Sequence, residues 1–198
     1  MTRVAILGWG SLLWNPGTLR SERRWRSDGP WLPVEFARIS NLKEKNGRPP
    51  YLSLVIFPHA GLVRTYWDVS LVGEIAEACL DLKSREGCGI EHIAYLTRDD
   101  AAWSSTTPGL GERIRDWLDR KKNDVDAVIW TNLAWKLPGV ATFTVEEGMR
   151  WLRVLREAKK DNAAEEYIRR APPQTDTCLR RQAKEEFGWS DIPMDESH

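Results

Sequence analysis

The residues best suited to chemistry lie near the amino terminus, in Val4-Ala5-Ile6-Leu7-Gly8-Trp9-Gly10-Ser11-Leu12-Leu13-Trp14-Asn15-Pro16-Gly17. A short apolar run ends there in two closely spaced glycines and a serine. Glycine lacks a Cβ, so such a turn accepts φ > 0 and lets the main chain approach a ligand closely. Successive N–H groups in a turn of this kind form a concave anion site. Gly8, Trp9, Gly10, Ser11 and Leu12 are therefore the expected seat of a carboxylate or an oxyanion. The second feature is Glu86, in Cys79-Leu80-Asp81-Leu82-Lys83-Ser84-Arg85-Glu86-Gly87. Taken alone, a glutamate near a helix end beside Arg85 reads as a solvated surface charge. A helix end is also where a rigid element can present a carboxylate to a cleft.

Other chemistries fit less well. Gly8-Trp9-Gly10 begins a dinucleotide fingerprint, but Leu13 stands where the third glycine belongs and Pro16 interrupts the helix that should follow. A lipase-type elbow around Ser11 needs glycine where Trp9 and Leu13 stand. Ser11 is thus expected to contact substrate rather than to attack it. His59, His92 and His198 have no metal-ligand spacing, and no metal is expected. Cys79, Cys88 and Cys178 are odd in number and read as free, buried thiols. Arg38 and Arg64 fall in strand-like runs. Each can hold a substrate carboxylate bidentately, although the default is a guanidinium lying along the sheet surface. Tyr51 and Tyr95 read as packing residues.

The elements that position these residues follow from local pattern. Val4 to Gly8 reads as a buried strand. Arg20 to Arg26 reads as a solvated, charged loop. Val34 to Ser40 alternates with period 2, as a half-buried strand does. Glu44 to Pro50 is loop. Tyr51 to Phe57 and Leu62 to Val69 form a predicted hairpin around Pro58-His59-Ala60-Gly61. Ser70 is the expected cap of a helix carrying Leu71, Ile75, Cys79 and Leu82, which Gly87 stops. His92 to Leu96 and Val125 to Thr131 read as strands. Between them lie a loop from Ala101 to Gly111 and a helix with Ile114, Trp117 and Leu118. Thr144-Val145-Glu146-Glu147 is a capping box opening a helix with Met149, Leu152 and Leu155. A helix from Asp161 is broken at Ala171-Pro172-Pro173-Gln174, and a last helix runs from about Leu179 to Phe187. Early strands and late helices make the expected class α+β. Residues 1–198 are expected to form a single domain, with 144–198 as a helical extension packed on it.

The run from Gly8 to Pro16 resembles the substrate loop of the γ-glutamylcyclotransferase superfamily, nearest to its ChaC-like branch. The second segment, Leu80-Asp81 through Glu86 and Gly87, is similar to that family's leucine-aspartate followed by glutamate. The two cover roughly the first half of the chain, in the family's order. The resemblance implies a small mixed β-barrel flanked by helices. It implies cyclisation of a γ-glutamyl group to 5-oxoproline, with release of an amine or peptide. It puts Glu86 at the catalytic acid/base, the Gly8–Leu12 loop on the substrate, and requires no cofactor. Trp9 stands where the family usually has tyrosine, so any hydroxyl contact there is lost. Glutathione is the default substrate, and a γ-glutamylamine or γ-glutamyl peptide fits the same reaction. The alternative is a catalytically inactive module on the same fold that binds a small molecule or a protein.

Composition agrees with a globular protein: 198 residues, 41% hydrophobic, 29% charged. Lysine plus arginine equals aspartate plus glutamate, 29 each, so charge offers nothing to nucleic acid or an anionic membrane. No apolar stretch reaches the ~18 residues of a membrane span. The first strand begins too early for a signal peptide, so the expected compartment is the cytoplasm. Nothing in the pattern sets an oligomeric state. The 11 tryptophans are expected mostly in the core, with Trp9 and Trp14 shaping the pocket at the glycine turn.

Overall fold

The computed structural model describes residues 2–42, 47, 49–99 and 107–193. The expected loop residues 101–106, much of the 44–50 loop and His198 lie outside the described residues. The architecture is α+β: seven strands, β1 (Val4–Gly8), β2 (Trp31–Ser40), β3 (Tyr51–Ile56), β4 (Leu62–Arg64), β5 (Tyr66–Val69), β6 (Ile93–Thr97) and β7 (Ala127–Thr131), with five α-helices among the described residues. The helices are α1 (Ile75–Glu86), α2 (Leu110–Arg120), α3 (Val145–Glu157), α4 (Asn162–Arg170) and α5 (Cys178–Phe187). Among the described residues no helix is long and apolar enough to cross a membrane.

The strands form two sheets, ordered β5-β1-β7-β6 and β3-β2-β4. Among the described residues the sheets do not close into a barrel. β1 and β7 are parallel, and the remaining pairs are antiparallel. Alternation explains the apolar runs of the first sheet. Val4, Ile6, Ala127 and Ile129 face a cluster with Ala78, Cys79 and Leu82 of α1. Ala5, Leu7, Val128 and Trp130 face the larger core shared with β2, β3 and α2–α5. Strands covered on both faces carry apolar residues at every position. β2 is covered in the same way. Leu32, Val34, Glu35, Phe36 and Ala37 are all buried, so it is not the half-buried strand that its alternation suggested. Helices α2, α3 and α5 pack against it.

The predicted hairpin is not formed. β3 and β4 each pair with β2 and not with one another. The run Leu62–Val69 also divides at Thr65, a fully buried residue. Thr65 donates from N–H and Oγ1 to the Pro30 carbonyl, at 3.1 and 2.8 Å, and its own carbonyl accepts from Gly29 at 3.1 Å. The chain changes sheets at that point. Past the end of β7 the chain bridges to β2, where Ile39 donates to the Lys136 carbonyl and Lys136 donates to that of Ala37, both at 2.9 Å. This is one parallel bridge, not a ladder, so the second sheet does not close onto the first through it.

α1 starts later than Ser70 suggests. Ser70 Oγ instead accepts from the Val72 N–H at 3.1 Å, and Leu71 is 65% exposed. Gly73, a poor helix former, separates this turn from the helix. The other helix boundaries follow their local signals. Thr144 accepts from the Glu147 N–H at 3.2 Å, and the Pro172-Pro173 break ends α4.

Candidate functional site

A cavity of about 1020 Å³ opens between the glycine loop, the end of α1, strands β2 and β3, and α4. Gly8, Trp9, Gly10, Ser11, Leu12 and Glu86 all line it. The fold thus brings together the two segments that the sequence singled out.

The loop after β1 folds as consecutive turns, with Leu13 N–H donating to the Gly10 carbonyl at 3.0 Å and Asn15 N–H to that of Ser11 at 2.8 Å. Neither Gly8 nor Gly10 has a positive φ, contrary to the expectation from the turn pattern. Their lack of a side chain matters for space. A Cβ at Gly8 would lie 2.7 Å from the Trp25 ring, and one at Gly10 would lie 2.7 Å from the Tyr167 hydroxyl. Among the described residues no acceptor meets the Gly10 or Leu12 N–H, and the Ser11 N–H faces the Tyr167 oxygen at 3.4 Å. Trp9 is buried. Its indole N–H donates to the Leu54 carbonyl at 3.4 Å, and its own carbonyl accepts from Thr175 Oγ1 at 3.2 Å. Leu12 is buried against α1, so this residue offers the cavity mainly its backbone.

Glu86 is the last residue of α1. Gly87 takes the left-handed conformation, φ 62°, and its N–H closes the helix on the Lys83 carbonyl at 2.9 Å. Glycine takes that left-handed conformation at little cost, so Gly87 ends the helix directly after Glu86. The Glu86 side chain is 17% exposed. Burial pushes its carboxyl above the ordinary glutamate range, and Arg85 opposes that shift only in part. Arg85, which the sequence presented as surface charge, turns inward at 10% exposure. Its guanidinium donates to Glu86 Oε1 at 2.6 Å, to Ser11 Oγ at 3.0 Å and to the Asn15 carbonyl at 2.6 Å. Ser11 therefore has an arginine, not a histidine, on its hydroxyl, which is no arrangement for a nucleophile.

Tyr167 is the residue that the sequence did not mark. It enters from α4, its ring stacks on Tyr51 with centroids 5.1 Å apart, and it meets Trp14 edge-on at 5.2 Å. Burial above all pushes its phenol up to about 12. At neutral pH it is a neutral hydroxyl that can give or accept a hydrogen bond. The only trace in the sequence is its position on the apolar face of α4, with Ala163, Ala164 and Ile168.

Arg38 lies past an irregularity in the β2–β3 register and lines the cavity with Lys136. It donates to the Ala134 carbonyl at 2.7 Å, and burial pulls its guanidinium down. Arg64 lies outside this cavity, over the Trp31 ring at 5.8 Å. Of the cysteines, Cys79 is buried but Cys88 and Cys178 are only half-buried, and Cys88 lines the cavity. Among the described residues no group of three or more His, Cys, Asp or Glu side chains is placed to hold a metal ion.

The cavity thus joins a largely buried carboxylate, backbone donors and cationic side chains on one wall system. Comparison with known proteins gives no match to a family model, to a curated protein or to a solved structure, so the chemistry of this site has to be read from its own residues.

Proposed function

We propose that this protein is a γ-glutamylcyclotransferase-like enzyme, which cyclises a γ-glutamyl group to 5-oxoproline and releases an amine or peptide. The observation that carries this reading is the meeting of Glu86 with the Gly8–Leu12 loop in one cavity, across more than seventy residues of chain (Ser11 to Arg85 is a separation of 74). In the same reading the two sheets are the walls of a γ-glutamylcyclotransferase-like small barrel, with residues 144–198 as a helical extension packed on it.

In this reading the α-amine of the substrate attacks its own γ-carbonyl. The amine is protonated at neutral pH and must lose a proton first. Glu86 takes that proton and delivers it to the leaving nitrogen. A carboxyl with an elevated pKa suits both halves of that exchange, because it is a better base than a solvated glutamate. The tetrahedral oxyanion needs donors fixed before the reaction, and the Gly10 and Leu12 N–H groups are available for it. The aromatic wall of Trp14, Tyr51 and Tyr167 confines the flexible glutamyl chain near its cyclic shape. Wild-type protein is assayed for 5-oxoproline release from glutathione and a panel of γ-glutamyl amines and peptides. Release identifies the substrate class. A folded protein that releases nothing from any member favours the binding-module alternative.

Two predictions arise here. Glu86 works as base only when ionised, and its carboxyl lies above the ordinary range. The kcat/KM profile is therefore expected to rise with pH along an acid limb centred above the ordinary glutamate value. A limb at or below that value would remove Glu86 from the role. Arg38→Met is expected to raise KM on the order of tenfold for substrates whose released amine carries a carboxylate, the worth of one charge-assisted contact. KM for simple γ-glutamylalkylamines should stay near wild type, and steady-state kinetics on the two substrate sets tells them apart.

A further inference from the structure

Glu86 occupies a place hostile to a negative charge. It is largely buried, and it sits at the carboxyl end of α1, where the unpaired carbonyls make the negative pole of the helix. Among the described residues, the titratable groups that interact with it are Arg85 on its own helix, Cys88 in the turn that follows and Tyr167 from α4. Arg38 from β2 faces Cys88. The glycine loop, from Gly8 to Asn15, brings no charged side chain. Arg85 is the cation in contact with the carboxylate, and the same guanidinium reaches the loop through a second nitrogen.

We propose that Arg85 is a positioning residue: one arm of its fork fixes the Glu86 carboxylate, and the other ties the end of α1 to Ser11 and Asn15. The acid/base and the backbone donors are thereby held in one register. A guanidinium can do this because its donors are coplanar and rigidly spaced, whereas an ammonium is a point charge on a flexible stem. The kinetic consequence rests on the cyclotransferase reading; the hold on Glu86 does not.

The test reads Glu86 directly. The ¹³C shift of its side-chain carboxyl is followed against pH in wild type, Arg85→Met, Arg85→Gln and Arg85→Lys, with folding checked by circular dichroism. The midpoint is expected to rise by about one pH unit or more in the Met and Gln variants, since an adjacent opposite charge is lost. Arg85→Lys keeps the charge and should titrate near wild type, yet its kcat should fall about tenfold or more, with KM changed less, because the fork is gone. The acid limb of kcat/KM should move with the carboxyl midpoint. A folded Met or Gln variant with an unmoved midpoint overturns the proposal, as does an Arg85→Lys enzyme with wild-type kcat. If Arg85→Met does not fold, Arg85→Gln supplies the same readout. If wild type releases no 5-oxoproline at all, the cyclotransferase reading fails, and the carboxyl titration still decides whether Arg85 holds Glu86.

Discussion

Glu86→Gln is expected to lower 5-oxoproline release by about 10²- to 10⁴-fold, the range that a positioned general acid/base contributes. Glutamine nearly matches glutamate in shape and keeps an oxygen for the Arg85 guanidinium at the 2.6 Å contact. It has no proton-accepting oxygen of useful basicity. The loss should therefore fall in kcat, and KM should change little, because the aromatic wall and the loop donors remain. The substitution also removes a carboxyl that burial raises. By linkage, a carboxyl raised in the fold contributes stability that is fully present below its unfolded pKa and is lost as pH rises through the folded value. The variant should thus be no less stable than wild type at neutral pH. A large drop in the denaturation midpoint would show that Glu86 serves the fold rather than the reaction. A kcat within a few-fold of wild type would remove it from the chemistry.

Arg180→Met should produce the largest loss of stability, about 3–5 kcal/mol, the cost typical of removing one partner from a buried charged network. Arg180 has no exposed side-chain surface. Its guanidinium donates to the carbonyls of Pro172, at 2.6 Å, Thr175, at 3.1 Å, and Ala171, and pairs with Asp191 at 2.8 Å. The Pro172-Pro173 step makes this necessary. Proline has no N–H and ends the helix, so the carbonyls around it must find donors elsewhere. Methionine fills much of the space and supplies no donor. For a chain of this length the expected fall in Tm is about 6–20 °C, read by calorimetry or circular dichroism. The effect should also reach the cavity, because Thr175 in this loop holds the Trp9 carbonyl. Thr175→Val isolates that last contact and should cost only about 1 kcal/mol. An Arg180→Met protein within about 1 kcal/mol of wild type would contradict the account.

Much of the scaffold was legible because its signals are local. The apolar runs of β1 and β7, the left-handed stop at Gly87, the Thr144 cap and the Pro172-Pro173 break act over one turn or one strand, and each element formed where they place it. The same holds for the two halves of the candidate site. The glycine–serine loop follows a buried strand, and Glu86 ends a helix. Of the failures, one has a distant cause and one a local cause. Leu62–Val69 has the composition of one strand, but Thr65 finds its partners at Gly29 and Pro30 and sends the two halves to different sheets. Ser70 resembles a helix cap, yet Gly73 delays the helix to Ile75.

By itself the sequence determined the chemistry present: which residues can exchange a proton, where the backbone can lie bare, and where most helices and strands begin and end. The tertiary structure decided which of them meet. Arg85 turns inward because Ser11 and Asn15 offer acceptors that no neighbour in sequence provides. Gly10 needs to be glycine because the Tyr167 hydroxyl occupies the space of a side chain, and Ser11 and Tyr167 are 156 residues apart. The Trp9 carbonyl is held by Thr175, 166 residues away. Periodicity and capping report contacts within about one turn, whereas these contacts depend on how α1 packs against β7 and how α4 and α5 pack on β3 and β2. That packing is settled by the shape and burial of the whole core.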